Sequence, residues 1–245
     1  MKKYELTDET LIINSIVLHR IKALKDFGNV KTGDLGGYVE GEKSLSQGGD
    51  AWVSGDARVY GDARVYGDAR VSGNARVSGN AEVYGNAEVY GNSRVYGNAE
   101  VYVNARVSGD AEVYGDAEVY GDAWVSGDAE VYGIAWVSGE ARVYGNARVS
   151  GYARVSGNAR VSGNVRVSGD AMVSGDARVS GDEDYIVFKN WWSSGRYFTW
   201  TRSNDKWCVG CFYGSGDELV AKAYRDSEQS GDNYKKIVEY VNSIK

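Results

Sequence analysis

Ala51-Trp52-Val53-Ser54-Gly55-Asp56 is followed at once by Ala57-Arg58-Val59-Tyr60-Gly61-Asp62. These are the first two copies of a six-residue word, A-x-V-x-G-[DN], that runs to Gly181. Valine stands at every sixth position from Val53 to Val179, 22 times in all. Alanine precedes it by two residues except at Ser93 and Val165, and glycine follows it by two except at Val103. The residue after the glycine place is Asp or Asn except at Ile134, Glu140 and Tyr152.

A strict short period is read as a repeat architecture before anything else. In A-x-V the alanine and valine are two apart, so in an extended segment they share one face and x points the other way. Gly-[DN] supplies a tight corner. A period of six does not fit a helix, and a glycine in every hexad costs about 1 kcal/mol each there. Each arm is too short to form a free hairpin. The economical solution is a parallel β-helix whose turns stack at about 4.8 Å.

The words V-[YS]-G-[DN]-A-[RE] resemble the hexapeptide repeat of left-handed β-helix proteins. That resemblance implies a triangular coil, three hexads to the turn, and left-handed crossovers, against the usual right-handed rule. On it, 22 hexads make about seven turns. A second resemblance lies upstream, in Ile21-Lys22-Ala23-Leu24-Lys25-Asp26-Phe27-Gly28 through Gly33-Asp34-Leu35-Gly36-Gly37-Tyr38-Val39, then Leu45-Ser46-Gln47 and Ala51-Trp52-Val53. It is similar to the start of YdcK-like hexapeptide-repeat proteins of bacteria and phages, some of them named acyltransferases on their fold alone. Many relatives are trimers, so the resemblance implies a homo-oligomer.

The chain has 245 residues and a formal charge of −6, enough for one solenoid with small end pieces. The expected fold is therefore an all-β solenoid with three parts: an N-terminal β cap (1–50), the repeat (51–182), and a small α+β domain (183–245). In the first part, Leu11-Ile12-Ile13 and Val17 to Leu24 read as strands turned at Asn14-Ser15. Leu45 and Gln47 fall on the Ala and Val registers, which places a degenerate start of the coil there. No apolar run approaches the roughly 20 residues of a membrane span. The first residues carry early acids and no long apolar core, so they do not read as a signal peptide. A soluble cytoplasmic protein is expected.

Catalytic and metal chemistry find little to work with. His19 is the single histidine and reads as a strand residue of the cap. Acyltransferases of the left-handed β-helix class place a histidine base on a coil or its loop, and no coil here has one. Nor is any hexad interrupted by a loop that would hold acyl-coenzyme A. The corner acids alternate freely with Asn and read as turn residues, not metal ligands. Cys208-Val209-Gly210-Cys211 lies in a predicted strand, and two thiols do not complete a zinc site; two buried reduced cysteines are expected. Neither a cofactor nor a metal is expected.

Folding the repeat at three hexads to the turn makes it a map of three faces. One stacks Tyr66, Tyr84, Tyr102 and Tyr120 beside Arg64, Glu82, Glu100, Glu118, Trp136, Arg154 and Met172. A second carries Tyr96, Tyr114 and Tyr132 beside Arg94, Glu112 and Glu130. The third sets Trp124 between Arg106 and Arg142, a spacing that permits cation–π contact, and continues to Arg160. Stacked tyrosines suit a sheet by themselves; equally, Tyr and Trp favour interfaces. Glu stacked on Glu is repulsive, which points to a cationic partner or self-association, and stacked Arg points to an anionic one. Ile134 and Tyr152, three hexads apart, should meet at one corner as a small exposed apolar patch with Trp136. Val103 and Val165 read as packing variants.

After the repeat, Tyr185 to Phe188, Arg196 to Thr201 and Lys206 to Phe212 read as a three-strand meander. Ser215-Gly216-Asp217-Glu218 is a capping box that opens a helix, Ser230-Gly231-Asp232 ends it, and Asn233 to Ile244 forms a second. Gly210-Cys211-Phe212 with Asp217-Glu218-Leu219 resembles a tail of phage and prophage repeat proteins. The leading expectation is a non-catalytic scaffold that binds a protein partner or itself, with nucleic acid and membrane disfavoured. A phage inhibitor or sponge for a small anionic ligand of a host defence pathway is one alternative. A hexapeptide-class acyltransferase is another.

Overall fold

The computed structural model describes residues 2–245. Each hexad contributes one two-residue strand, in chain order from β4 (Trp52–Val53) to β25 (Arg178–Val179). Each strand pairs in parallel with the strand three hexads on: Val53 with Val71, Val59 with Val77 and Val65 with Val83. The pairing continues to Val155 with Val173 and Val161 with Val179. The result is a parallel β-solenoid of three stacked sheets. The interior is the Ala/Val column that the pattern predicts, each member essentially inaccessible to water. Burying one such valine contributes about 1.5–3 kcal/mol, and the repeat multiplies it. Val165 is accommodated in the alanine column, and Ser93 sits there with its hydroxyl donating to the Tyr90 carbonyl at 2.9 Å.

The corners need glycine twice over. Gly91 has φ +77°, and a Cβ there would lie 2.9 Å from the backbone nitrogen of Gly109, the next glycine in the stack. Val103 occupies such a corner with φ +64° and its side chain in solvent. It is therefore not a packing variant: it is a β-branched residue held in the left-handed region by the turns on either side.

The coil begins earlier than the hexads suggest and makes about eight turns, not seven. Strands β1 (Tyr4–Ile13) and β2 (Ile16–Ala23) form a hairpin, turned at Asn14 and Ser15, both at positive φ. Strand β3 (Leu35–Val39) pairs antiparallel with β2 and then in parallel with the coil, Val39 against Val59. Leu45 bridges to Val65, so it stands in the valine column rather than on the alanine register. Both partners lie two positions further along than three hexads would put them, because Leu45 and Val53 are separated by a hexad and two more residues. Gln47 is thereby pushed out of the column. Its Oε1 accepts from the backbone nitrogens of Lys3 at 2.7 Å and Tyr4 at 3.3 Å.

The two ends of the stack are closed by opposite chemistry. Carbonyls of the first turn have no earlier turn to pair with. The Lys3 ammonium, buried beneath Phe27, donates to Ala51 O at 2.8 Å and reaches Gly49 O at 3.3 Å. Burial pushes its pKa down to about 8, with Asp50 opposing. The Tyr4 hydroxyl donates to Leu45 O at 2.6 Å. At the far end the orphans are N–H groups. The backbone nitrogens of Arg154 and Arg160 donate to Ala171 O and Ala177 O of the following turn. Those of Met172 and Arg178 have no such turn and donate instead to Thr199 Oγ1 at 2.8 Å and Ser203 Oγ at 2.6 Å. Ser180 N–H donates to Asp184 Oδ2 at 2.7 Å.

The carboxy-terminal domain supplies those acceptors. It is a four-stranded meander rather than three: β26 (Tyr185–Lys189), β27 (Tyr197–Thr201), β28 (Lys206–Val209) and β29 (Phe212–Gly214). The predicted third strand is folded in two at Gly210, φ +58°. Helices α1 (Gly216–Asp226) and α2 (Glu228–Ser243) pack on the sheet around Phe198, Trp200, Trp207 and Tyr234. The capping box forms as expected, Glu218 N donating to Ser215 Oγ. Ser230-Gly231 does not break the second helix. It lies inside α2, where glycine admits the Tyr224 ring of α1 against the backbone.

Candidate interaction surface

The tyrosine and glutamate columns form one device. Each of five ladder tyrosines donates its hydroxyl to a glutamate of the next turn. Tyr66 reaches Glu82 at 2.7 Å, Tyr84 reaches Glu100 at 2.9 Å and Tyr102 reaches Glu118 at 2.8 Å. On the second face Tyr96 reaches Glu112 at 2.8 Å and Tyr114 reaches Glu130 at 3.2 Å. The rings stack almost parallel, with centroids 4.8 Å apart for Tyr66 and Tyr84 and 5.0 Å for Tyr102 and Tyr120. Partial burial, reinforced by the glutamates, raises the phenol pKa of Tyr66, Tyr84, Tyr96 and Tyr102 well above its usual value and that of Tyr114 to about 12. Glu82, Glu100 and Glu118 do follow one another up the stack. Each has its own donor, however, so the acidic ladder needs no external cation to be tolerated.

Trp124, Arg142 and Arg160 follow one another on the third face. Trp124 Nε1 donates to Ser108 Oγ at 3.0 Å, and the Arg142 guanidinium lies 5.8 Å from its ring centroid. Trp124 is thus tied into its own sheet and does not join the Ile134 corner.

Ile134 and Tyr152 do come together. Their backbone nitrogens donate to Gly151 O and Gly169 O, consecutive steps of one corner. Ile134 is 40% exposed and Tyr152 60% exposed. Two residues beyond Tyr152, the Arg154 guanidinium lies over the Trp136 ring at 4.2 Å. The sequence pattern reaches no further than this. The structure adds a cleft of about 380 Å³ between the last turns and the carboxy-terminal domain, with Tyr152 and Arg154 on one wall and Arg196 and Tyr197 on the other. Met172 and Asp170 also line it. Arg196 and Tyr197 carry no signal of their own in the sequence. They reach the site only because the meander docks on the last turn.

The other chemistry-bearing groups lie elsewhere. His19 sits in the amino-terminal hairpin with Nδ1 3.2 Å from Thr7 O. Cys208 packs its sulfur 3.3 Å from Ser174 Oγ and 3.9 Å from the Met172 sulfur, and burial raises its thiol pKa. Cys211 is exposed rather than buried, because the break at Gly210 places it in a turn. Among the described residues no group of three or more His, Cys, Asp or Glu side chains gathers into a metal-binding cluster. Among them, too, no helix is long and apolar enough to cross a membrane.

The family model described as "YdcK Beta solenoid repeat" matches at residues 51–67, 57–70, 63–79, 69–85, 141–157, 153–169 and 165–181. No curated protein matches the chain. The matched segments are hexads that build the parallel stack, so these stretches of the coil are similar to the YdcK β-solenoid repeat.

Proposed function

We propose that the chain is a non-catalytic β-solenoid scaffold that holds a macromolecular partner at the Ile134/Tyr152 corner. One observation carries this reading. In a repeat that places Asp or Asn at almost every corner, two large apolar residues occupy consecutive steps of one corner, both exposed to solvent, and one of them, Tyr152, lines a cleft. Aromatic and aliphatic anchors at the edge of a concavity, with arginine nearby, are the composition of binding hot spots. The non-catalytic part is supported by the position of the lone histidine in the amino-terminal hairpin, where it bonds a backbone carbonyl. Left-handed winding and homo-oligomer formation, both implied by the resemblance to hexapeptide-repeat proteins, belong to the same reading. So does an intracellular, phage or bacterial setting.

The test is a double variant, Ile134→Asp with Tyr152→Asp, which restores an acidic corner. Circular dichroism melts should stay at the wild-type midpoint. A partner captured by the wild-type chain from host lysate should be lost, or the mass by light scattering should change. Unchanged capture together with unchanged mass would overturn the proposal.

A further inference from the structure

We infer that the cleft beside Tyr152 receives an acidic segment of a partner polypeptide, its carboxylate taken by Arg154 and Arg196 and a neighbouring apolar residue by the Ile134/Tyr152 corner. This rests on the corner being the contact surface, and it assigns the chemistry of what binds there. Two guanidinium groups and one carboxylate, Asp170, line the cleft. Among the described residues neither Arg154 nor Arg196 has a carboxylate within the 4.0 Å of an ion pair. Among the described residues four other arginines of the coil, Arg64, Arg94, Arg106 and Arg148, are ion-paired. Arg94 meets Glu112 at 3.1 Å and Arg148 meets Glu130 at 3.0 Å. What sets Arg154 apart from the remaining unpaired ones is that it shares a cleft with a second unpaired guanidinium. The two cleft arginines are therefore free cations in a protein whose net charge is −6.

Their setting favours a planar anion. Arg154 lies over the Trp136 ring at 4.2 Å, a cation–π contact that restrains the planar fork of its guanidinium. Such a fork matches a carboxylate in a bidentate pair. Gly195 lines the cleft without a side chain, and a Cβ there would meet nothing within 4 Å, so access is open. Tyr152 and Tyr197 add aromatic lining to the cleft. An acid beside an aromatic or branched aliphatic residue would then satisfy guanidinium and corner together. The overall negative charge and the glutamate column on the same sheet oppose an extended polyphosphate, so a peptide acid is favoured over nucleic acid.

A random heptapeptide display library selected against the full chain tests this. Selected peptides are then titrated, by fluorescence polarisation, into wild type, Arg154→Glu with Arg196→Glu, Arg154→Gln with Arg196→Gln, and Ile134→Asp with Tyr152→Asp. The expected peptides carry Asp or Glu within two positions of an aromatic or branched aliphatic residue. They should weaken about tenfold or more on losing the guanidinium pair. The glutamine pair keeps the test valid if the charge reversal unfolds the chain. Peptides that lack an acid, or that ignore both arginine pairs yet need the corner, would overturn the inference and leave the scaffold reading standing. Peptides indifferent to the arginines and to the corner, or no selected peptide at all, would overturn both. A change of mass in the arginine variants would show that the occupant is a second copy, and would also overturn it.

Discussion

The Tyr84 hydroxyl donates to the Glu100 carboxylate one turn further along, at 2.9 Å. This diagonal, repeated at four other places, converts a column of like charges into a column of charge-assisted hydrogen bonds. Tyr84→Phe leaves the Glu100 carboxylate between Glu82 and Glu118 without its donor. The expected loss is about 1 kcal/mol at neutral pH, reduced from a fully buried value because the pair is part-exposed. Urea denaturation of the two proteins measures it, and an unchanged midpoint would refute the diagonal as a stabilising contact.

The same ladder sets an alkaline limit. A phenol with a raised pKa in the folded state contributes stability that is complete below its unfolded value, near 10, and is lost as pH rises through the folded value. Tyr114 titrates at about 12 in the fold, and Tyr66, Tyr84, Tyr96 and Tyr102 shift in the same direction. Unfolding free energy should therefore decline from about pH 10 upward. Absorbance at the phenolate band should show these tyrosines ionising late. Glu100→Gln should bring Tyr84 down. A ladder that titrates with free tyrosine would contradict the hydrogen-bond geometry.

Lys3 gives the opposite slope. Its pKa of about 8 in the fold lies below the ordinary value of 10.5, so the unfolded chain holds the proton more tightly between those values. Lys3 should add stability as pH rises from about 8 to 10.5, measured as the difference between wild type and Lys3→Met. At neutral pH Lys3→Met should still cost about 2 kcal/mol, because Ala51 O loses its donor. A neutral substitution with no cost would mean that water serves that carbonyl equally well.

Val103→Gly relieves a β-branched residue at φ +64° in an exposed corner. Left-handed backbone costs about 1–3 kcal/mol for such a residue, and glycine's extra unfolded freedom offsets roughly 0.5–1 kcal/mol of that. A net gain of about 1 kcal/mol is expected in a denaturant titration. A loss would show that the exposed methyls do more than fill a turn.

Much of this architecture is legible in the sequence, for a physical reason. An inward Ala/Val pair and a left-handed glycine corner recur with a period that only a stacked coil can satisfy. The same stacking even contains the Tyr–Glu diagonal, since a glutamate follows each of those five tyrosines at one fixed interval. Comparing columns alone misses it, because the bond runs across two columns. Leu45 and Gln47 are misplaced by the pattern because register carries no memory across an insertion of two residues. Strand β1 reads too short because Glu5, Asp8 and Glu9 hide its alternation. Ser230-Gly231 imitates a breaker, since close approach of Tyr224 is invisible along the chain. The corner residues Ile134 and Tyr152 announce themselves by violating a rule. Arg196 and Tyr197 violate none, and their role depends on how one domain docks on another.

Thr199→Val tests that docking at a single atom. The change keeps the buried shape but removes the acceptor of Met172 N–H. It should cost about 1–3 kcal/mol, read from the global unfolding transition. A variant as stable as wild type would mean that the last turn finds another acceptor.

Closing both ends of the stack also fixes its length. Beneath Lys3 lie carbonyls in search of donors; above Arg154 and Arg160, the terminal residues Met172 and Arg178 offer donors in search of carbonyls. Stripped of its end pieces, one prism would present a surface complementary to the opposite end of the next. Copies could then add head to tail in register, as a growing fibre does. Lys3, Thr199, Ser203 and Asp184 are thus chain terminators in the polymer sense: they make a repeat that could elongate indefinitely into a particle of fixed length.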